Sequence, residues 1–276
     1  MNLYKKITSH ISQMHIMREF CCATLALTPF IGQYLNICEL NNIRPNICDI
    51  LFYIFRGQES ISLYALTQSP EQHPIPFEWI FLVIASMLSN IDFLYPDYIC
   101  REYQTIIRSG KKRNWIVGIE IQSIRQTFIF FLCIICVAVI TIISSNGECL
   151  LSTPQRIFRV FDQFPAIEIT ATNVILIGVI LPLFALFVIN LLQVILSIFF
   201  HPLIGILICI TVTILSVLFP SYYLCCNAAM IFRGALFSNN GLQPIPLLTV
   251  CVVSLIACFF FGIYFFQKFE IYPRLE

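Results

Sequence analysis

Charged residues are scarce in this sequence: Asp, Glu, Lys and Arg together make up 11% of its 276 residues. Soluble domains carry about a quarter charged residues, so this chain could not cover a water-facing surface. Its histidines are few and scattered, and the sequence contains no GxxxxGK, HExxH or GxSxG motif. Phosphate binding by a P-loop is therefore excluded, and no catalytic, cofactor-binding or metal-binding residue is predicted.

Hydrophobic residues, by contrast, make up 58% of the chain, and phenylalanine alone occupies 26 positions. Apolar runs of about 20 residues recur, and each is long enough to cross a bilayer as a helix. The runs are continuous and do not alternate with polar residues, which argues against a transmembrane barrel. The sequence therefore predicts an all-α, polytopic membrane protein with a single transmembrane domain over residues 1–276.

Six apolar runs are predicted to form a bundle of transmembrane helices. They lie at about 20–37, 77–94, 115–144, 174–200, 203–219 and 246–266. Ahead of them, in residues 1–17, Leu3, Ile7, Ile11 and Met14 recur at helical spacing, which predicts an amphipathic helix in the membrane interface. A secretory signal peptide is the alternative interpretation of the first apolar run, because Lys5, Lys6 and Arg18 precede it. Trp79 is predicted to anchor the outer end of the second span in the interface.

The sequence contains 13 cysteines, several of them inside apolar runs, where they are expected to act as small hydrophobic residues. Cys133 and Cys136 have the spacing of a redox or zinc pair, but no histidine or carboxylate lies near them. Cys38, Cys48 and Cys149 fall near the outer face of the predicted topology. A disulfide between two of them is compatible with the sequence but cannot be deduced from it.

A short cationic segment, YPDYICREYQTIIRSGKKRNW, separates the second and third predicted spans at residues 95–115. Positive charge beside transmembrane segments marks the cytoplasmic side, so this segment orients the chain in the cell membrane. With six crossings, both termini are also cytoplasmic. Residues 97–107 are predicted to form a short surface helix that ends at Ser109 and Gly110. The alternative is that the segment serves only as a topology anchor.

Four of the ionisable residues within or beside the predicted spans are candidates for a function. They are Asp92, Glu120, Arg125 and Arg233. Ionisable side chains inside a membrane commonly mark a substrate path, which makes these four candidate substrate-path residues. They are too few and too irregularly spaced to predict a proton relay. A role in packing one helix against another is the alternative for each.

Taken together, the segments Phe77-Glu78-Trp79-Ile80 and IIRSGKKRNW at residues 106–115 resemble a family of small Gram-positive permeases. That family belongs to the type-2 class of ATP-binding-cassette exporters, in which an R-S-G-S-R-x-x-W-like string follows the second span. The resemblance extends to the architecture of six spans, an N-terminal interfacial helix and a cytoplasmic helix between spans two and three. The long aromatic outer loop from Cys38 to Pro76 departs from the family pattern.

The resemblance implies that the cytoplasmic helix is a coupling helix, held in a groove of a separate ATPase subunit. The residues implied in this contact are Tyr98, Arg101, Glu102, Tyr103, Ile106, Ile107 and Arg108. It also implies a homodimer or heterodimer of permease subunits that exports a hydrophobic or peptide-like substrate. ATP would bind the partner ATPase, and this chain would contact membrane lipid, with no cofactor and no nucleic acid. A membrane-embedded enzyme and a non-transporting sensor or immunity protein are the alternative functions.

Overall fold

The structure is a computed structural model, and most of the residues that it describes are helical. It describes residues 2–57, 76–90, 112–148, 171–237 and 241–268. The side chains of residues 2–15 and Lys112 are not described. The helices are α1 (Asn2–Leu40), α2 (Ile47–Ile54), α3 (Phe77–Ser89), α4 (Lys112–Ser144), α5 (Ala171–Phe199), α6 (Pro202–Leu218) and α7 (Pro244–Lys268). Short 3₁₀ helices at Cys225–Ala229 and Ile231–Arg233 connect α6 to α7. The described residues contain no β-strand, which confirms the predicted all-α class.

Four of the described helices are long and apolar enough to cross a membrane: the Ile16–Leu40 part of α1, the Arg113–Ser144 part of α4, α5 and α7. Two shorter apolar helices, α3 and α6, pack in the same bundle. Large apolar side chains cover its outer surface, with Leu25 at 70% exposure and Phe260 at 63%. An apolar exterior of this extent is typical of a surface in contact with lipid. The prediction of a multi-pass, membrane-embedded helical protein is thus confirmed.

The structure joins the predicted interfacial helix and the first predicted span into one helix, α1. No Gly or Pro stands between residues 2 and 28, so nothing in the backbone chemistry interrupts the helix there. Pro29 lies inside α1, where it removes one backbone donor without ending the helix. The second predicted span is described as α3 up to Asn90, and its remaining residues, 91–94, lie outside the described part of the chain.

Helix α5 lies at the centre of the bundle, in contact with α3, α4, α6 and α7. It begins as an α-helix, widens into a π-helical segment at Leu176–Ile180 and continues as an α-helix from Leu181. The wider turn precedes Pro182, which has no N–H to donate to the helix. Gly178, within this segment, packs against Phe52 of α2, whose ring carbon would lie 3.1 Å from an added Cβ. The widened turn therefore coincides with a close helix contact.

Successive helices of the bundle, with α3 and α6 included, run in opposite directions, and the two tryptophans mark its two ends. One end is named here the Trp115 end. There the Trp115 ring stacks on Phe266 of α7, with ring centroids 4.9 Å apart. Arg18 of α1 donates to the carbonyl of Ser89 in the last turn of α3, over 2.8 Å. The start of α4 and the end of α7 therefore share this end of the bundle, whereas α3 ends at the level of Thr127 of α4.

The opposite end, named the Trp79 end, is closed by α2 and the 3₁₀ segments. All residues of α2 after Ile47 are buried, so this aromatic stretch packs on the long helices. Trp79 is itself buried and donates from its indole N–H to the carbonyl of Ala229 over 3.2 Å. The prediction that Trp79 anchors the interface is therefore wrong, because its ring is enclosed by protein.

An ion pair joins α2 to α3 at the Trp79 end. Arg56, just after α2, donates to a Glu78 carboxylate oxygen over 3.0 Å. The guanidinium also lies 4.4 Å from the ring centroid of Tyr53, a cation–π arrangement. Gln33 of α1 accepts a hydrogen bond from the Tyr53 hydroxyl over 2.8 Å. These contacts tie α1, α2 and α3 together at the Trp79 end.

Candidate functional site

A group of buried polar side chains lies between α3, α4 and α5 and is named here the polar column. Its members are Ser86, Ser89 and Asn90 near the end of α3; Glu120, Ser123, Gln126 and Thr127 on α4; and Asn190, Gln193 and Ser197 on α5. None of them is more than 4% exposed. Most repeat every three or four positions, so each helix presents its polar side chains as one stripe within an apolar sequence.

Hydrogen bonds between helices hold one part of the polar column together. The side-chain amide of Asn190 donates to the Thr127 hydroxyl over 2.9 Å and to the Ser86 hydroxyl over 3.0 Å. Asn90 donates to the same Thr127 hydroxyl over 3.5 Å. Three different helices therefore meet at Thr127, through contacts that are each worth about 0.6–1.7 kcal/mol within a membrane bundle.

From Thr127 the polar column extends toward the Trp115 end. Glu120 lies seven positions before Thr127 on α4, and Ser197 lies seven positions after Asn190 on the antiparallel α5. Seven helical residues span about 10 Å, so the stripe on α4 extends about that far, whereas the stripe on α5 ends with the Ser197 hydroxyl against Gly205 of α6. Gln193 of α5 donates to the carbonyl of Met87 over 3.3 Å at an intermediate level. The polar column thus runs from the interior of the bundle toward one end.

Several oxygen atoms of the polar column accept or donate no hydrogen bond within the described part of the chain. They are both carboxylate oxygens of Glu120, the amide oxygens of Asn90, Gln126 and Gln193, and the hydroxyls of Ser123 and Ser197. Buried polar groups in native proteins are normally paired, because an unpaired one costs about 1–3 kcal/mol. Such a set of unpaired oxygens is therefore typical of a site that binds a ligand, an ion or water.

The Glu120 carboxylate lies where α4, α5 and α7 meet. One of its oxygens occupies the space that a Cβ at Gly262 of α7 would fill, so a larger residue at position 262 would overlap it. Ile195 of α5 lies beside the same space. Phe266 and Trp115 pack one turn nearer the Trp115 end. The carboxylate is thus surrounded by apolar side chains and by the bare backbone at Gly262.

The structure separates the four predicted substrate-path residues. Glu120 belongs to the polar column, whereas Arg125 is exposed on another face of the same helix, away from Glu120. Asp92 lies outside the described residues. The predicted ATPase-coupling residues do so as well. They are Tyr98, Arg101, Glu102, Tyr103, Ile106, Ile107 and Arg108. Their roles remain predictions.

Arg233, the fourth of these residues, closes the C-terminal end of α6. Its guanidinium donates to the carbonyls of Ser216 and Val217 in the last turn of that helix and to the side-chain oxygen of Asn227. The last carbonyls of a helix have no partner within it, and a positive charge there also favours the helix dipole. Burial lowers the pKa of Arg233 to about 10, so its side chain remains charged at neutral pH. These contacts are those of a helix cap.

Sequence reasoning missed most of the polar column. The polar residues of α5 could have been recognised from the sequence, because they stand at positions i, i+3 and i+7 of an otherwise apolar run: Asn190, Gln193 and Ser197. A stripe of neutral polar residues at helical spacing predicts one polar face on that helix. The sequence does not show that α3 and α4 bring their own polar residues to the same place.

The described cysteines are unpaired, including Cys38, Cys48, Cys133 and Cys136. The parts of the chain that the structure describes hold no group of three or more His, Cys, Asp or Glu residues arranged to bind a metal ion. No protein-family model, curated protein or solved structure matches this chain. The polar column and the cationic segment at residues 95–115 are therefore the features that bear on its function.

Proposed function

We propose that this chain is the membrane-spanning permease subunit of an ATP-binding-cassette exporter, powered by a separate ATPase subunit. The polar column carries the proposal. Polar and ionisable groups inside a membrane are unfavourable unless they serve a purpose, and those that face the interior of a bundle commonly line a substrate path. Here they lie between helices that are otherwise apolar. The substrate is proposed to be hydrophobic or peptide-like, as in the family that the sequence resembles.

The position of the cationic segment links this path to a source of motion. Residues 91–111 connect α3 to α4, and both helices contribute side chains to the polar column. Asn90, at the end of α3, hydrogen-bonds to Thr127 of α4. A partner that moved the segment would displace both helices and change the contacts of the polar column. We therefore propose that the segment carries a coupling helix that contacts the ATPase.

The proposed topology has six crossings, made by the four long apolar helices together with α3 and α6. The antiparallel order of the helices supports it, because each crossing returns the chain to the other end of the bundle. We propose that the Trp115 end lies in the cytoplasm of the cell, because basic residues beside transmembrane segments favour that side. Both termini then lie on the cytoplasmic side of the cell membrane, and two such subunits, identical or different, form the transporter.

The topology is tested by labelling cysteines in intact cells with a membrane-impermeant maleimide. A cysteine introduced by Ser109→Cys should react, above the background of the native cysteines, only after the membrane is permeabilised. Asn41→Cys serves as the control, because Asn41 is exposed at the Trp79 end. It should react in intact cells. Labelling of Ser109→Cys from outside would reverse the topology and remove the proposed ATPase contact.

The partner is tested by co-purification from cells of the native host. An ATPase with a GxxxxGK motif should accompany the parent protein, and the double variant Arg101→Glu/Arg108→Glu should lose it because both changes reverse charge in the proposed contact. Lys268→Glu is the matched control, since it reverses an exposed charge at the same end of the bundle. It should retain the ATPase. A double variant that kept its ATPase would refute the coupling helix, and a parent protein without any ATPase would refute the permease.

A further inference from the structure

Glu120 holds the one carboxylate of the polar column, and the described side chains around it offer no compensating charge. Neither carboxylate oxygen has a hydrogen-bond or ion-pair partner in the described parts of the chain, and the residue is 0% exposed. A buried carboxylate without a partner is strongly disfavoured, by several kcal/mol even after the protein relaxes (about that order from ion-transfer estimates). The group is therefore stable only when a cation neutralises it.

Among the described side chains of α4, α5 and α7, none brings a positive charge to Glu120. On α7 the titratable group within electrostatic reach is the thiol of Cys258, which carries no positive charge. On α5 the neighbour is the apolar Ile195. On α4 itself, Arg113 and Arg125 are both exposed and do not pair with Glu120. Within the described residues, the protein thus supplies a site for a cation but not the cation.

Neutral oxygen atoms lie along the same part of the polar column. Ser123 is one turn from Glu120 on α4, and its hydroxyl is unpaired in the described structure. Gln193 lies on α5 about level with Ser123, because the contact between Thr127 and Asn190 sets the register of the two antiparallel helices, and its amide N–H donates to Met87 of α3. Its amide oxygen is also unpaired there. One carboxylate and several neutral oxygens are an arrangement that suits a small cation with a single charge.

We propose that Glu120, with the unpaired oxygens of Ser123 and Gln193, binds a small monovalent cation, either Na⁺ or a proton. A single carboxylate balances one positive charge, so the site is electrically neutral when it is occupied. Divalent ions generally take more than one carboxylate or keep several waters, which this apolar enclosure does not favour. Because Gly262 has no side chain, the Glu120 carboxylate has room to lie against its backbone. This site is independent of the proposed ATPase partner.

The test measures the melting temperature of the purified chain in detergent, without any partner. A ligand that binds only the folded state raises the melting temperature as its concentration rises. NaCl is titrated against choline chloride at constant ionic strength, at alkaline and at acidic pH. A saturable increase with Na⁺ at alkaline pH that disappears at acidic pH identifies Na⁺ in competition with a proton. An increase on acidification in choline chloride that Glu120→Gln lacks, with no effect of Na⁺, identifies a proton alone.

Three variants make the result specific to Glu120. Glu120→Gln replaces the carboxylate by a neutral group of the same shape, so it should melt like the occupied parent and should lose both the Na⁺-dependent increase and the part of the pH dependence that Glu120 contributes. Gly262→Ala keeps the carboxylate but displaces it, and should weaken the apparent cation affinity at least about tenfold. Gly118→Ala is the matched control, because a Cβ at position 118 meets no atom within 4 Å. It should titrate like the parent.

Two outcomes would overturn the cation site. One is a parent protein whose melting temperature depends on neither Na⁺ nor pH. The other is a Glu120→Gln variant that responds to the cation as the parent does. If Glu120→Gln does not fold, the comparison of Gly262→Ala with Gly118→Ala decides, and equal titration midpoints for these two variants would refute the site. None of these results depends on whether an ATPase binds the cationic segment.

Discussion

Replacing Arg233 with methionine removes the guanidinium that caps α6, and this change is expected to destabilise the whole bundle. Methionine has a similar length and no charge, so the substitution removes donors while it keeps most of the packing volume. The carbonyls of Ser216 and Val217 and the side-chain oxygen of Asn227 all accept hydrogen bonds from Arg233. Each loses its Arg233 donor in the variant, in a part of the bundle where Arg233 itself is 1% exposed.

The expected loss of stability can be worked out from these contacts. A buried acceptor that loses its partner costs about 1–3 kcal/mol. Three such acceptors together cost more than a single one. Removing the buried guanidinium charge, however, also removes the free energy that was spent on desolvating it. The net loss is expected to be about 3–5 kcal/mol. For a domain of this size, 1 kcal/mol lowers the melting temperature by about 2–4 °C, so a decrease of about 10 °C is expected.

The assay is thermal unfolding of the protein in detergent, followed by far-ultraviolet circular dichroism. Arg233→Lys should give a smaller decrease, because an ammonium group keeps the charge but lacks the planar fork of a guanidinium. Arg125→Met is the matched control: the same substitution at an exposed arginine should change stability by no more than about 0.5 kcal/mol. If Arg233→Met and Arg125→Met both had the melting temperature of the parent protein, the capping role of Arg233 would be refuted.

Two further changes probe the packing in the same thermal assay. Asn190→Leu removes the donor to Thr127 within the polar column and should lower the stability by about 1–2 kcal/mol, and an unchanged melting temperature would contradict the interhelical network. Gly57→Ala should cost about 1–3 kcal/mol, because Gly57 has a φ of 62° and a Cβ there would overlap Met230. The control Gly32→Ala, which meets no atom within 4 Å, should be neutral or slightly stabilising, and equal losses in the two glycine variants would refute the steric account.

The positions of the helices were largely predictable. The run predicted at 203–219 forms α6 at Pro202–Leu218, and the run predicted at 115–144 forms α4 at Lys112–Ser144. In lipid, backbone polar groups must pair within the segment, so a long apolar run has few alternatives to a helix. The break predicted between an interfacial helix and the first span is absent, because the chain there carries no residue that ends a helix.

The candidate site was predictable only in part. Glu120 was found because a carboxylate within an apolar run is conspicuous, whereas Asn190 was not, because neutral polar residues occur in many membrane helices. Glu120 and Asn190 become part of one polar column only because α4 packs against α5. Arg233 was noticed as an ionisable residue, yet the carbonyls that it caps are sixteen and seventeen positions earlier in the chain. No local pattern connects residues across that separation.

The sequence by itself determined that this protein is a helical membrane protein, where most of its helices lie and which short segment is strongly basic. Only the tertiary structure decided which side of each helix faces its neighbours. Trp79 is enclosed by protein, and Glu120 and Arg125, on one helix, face the interior and the exterior respectively. The physical reason is that lipid is as apolar as the protein core, so the hydrophobic pattern of a membrane helix does not distinguish its buried face from its lipid-facing side.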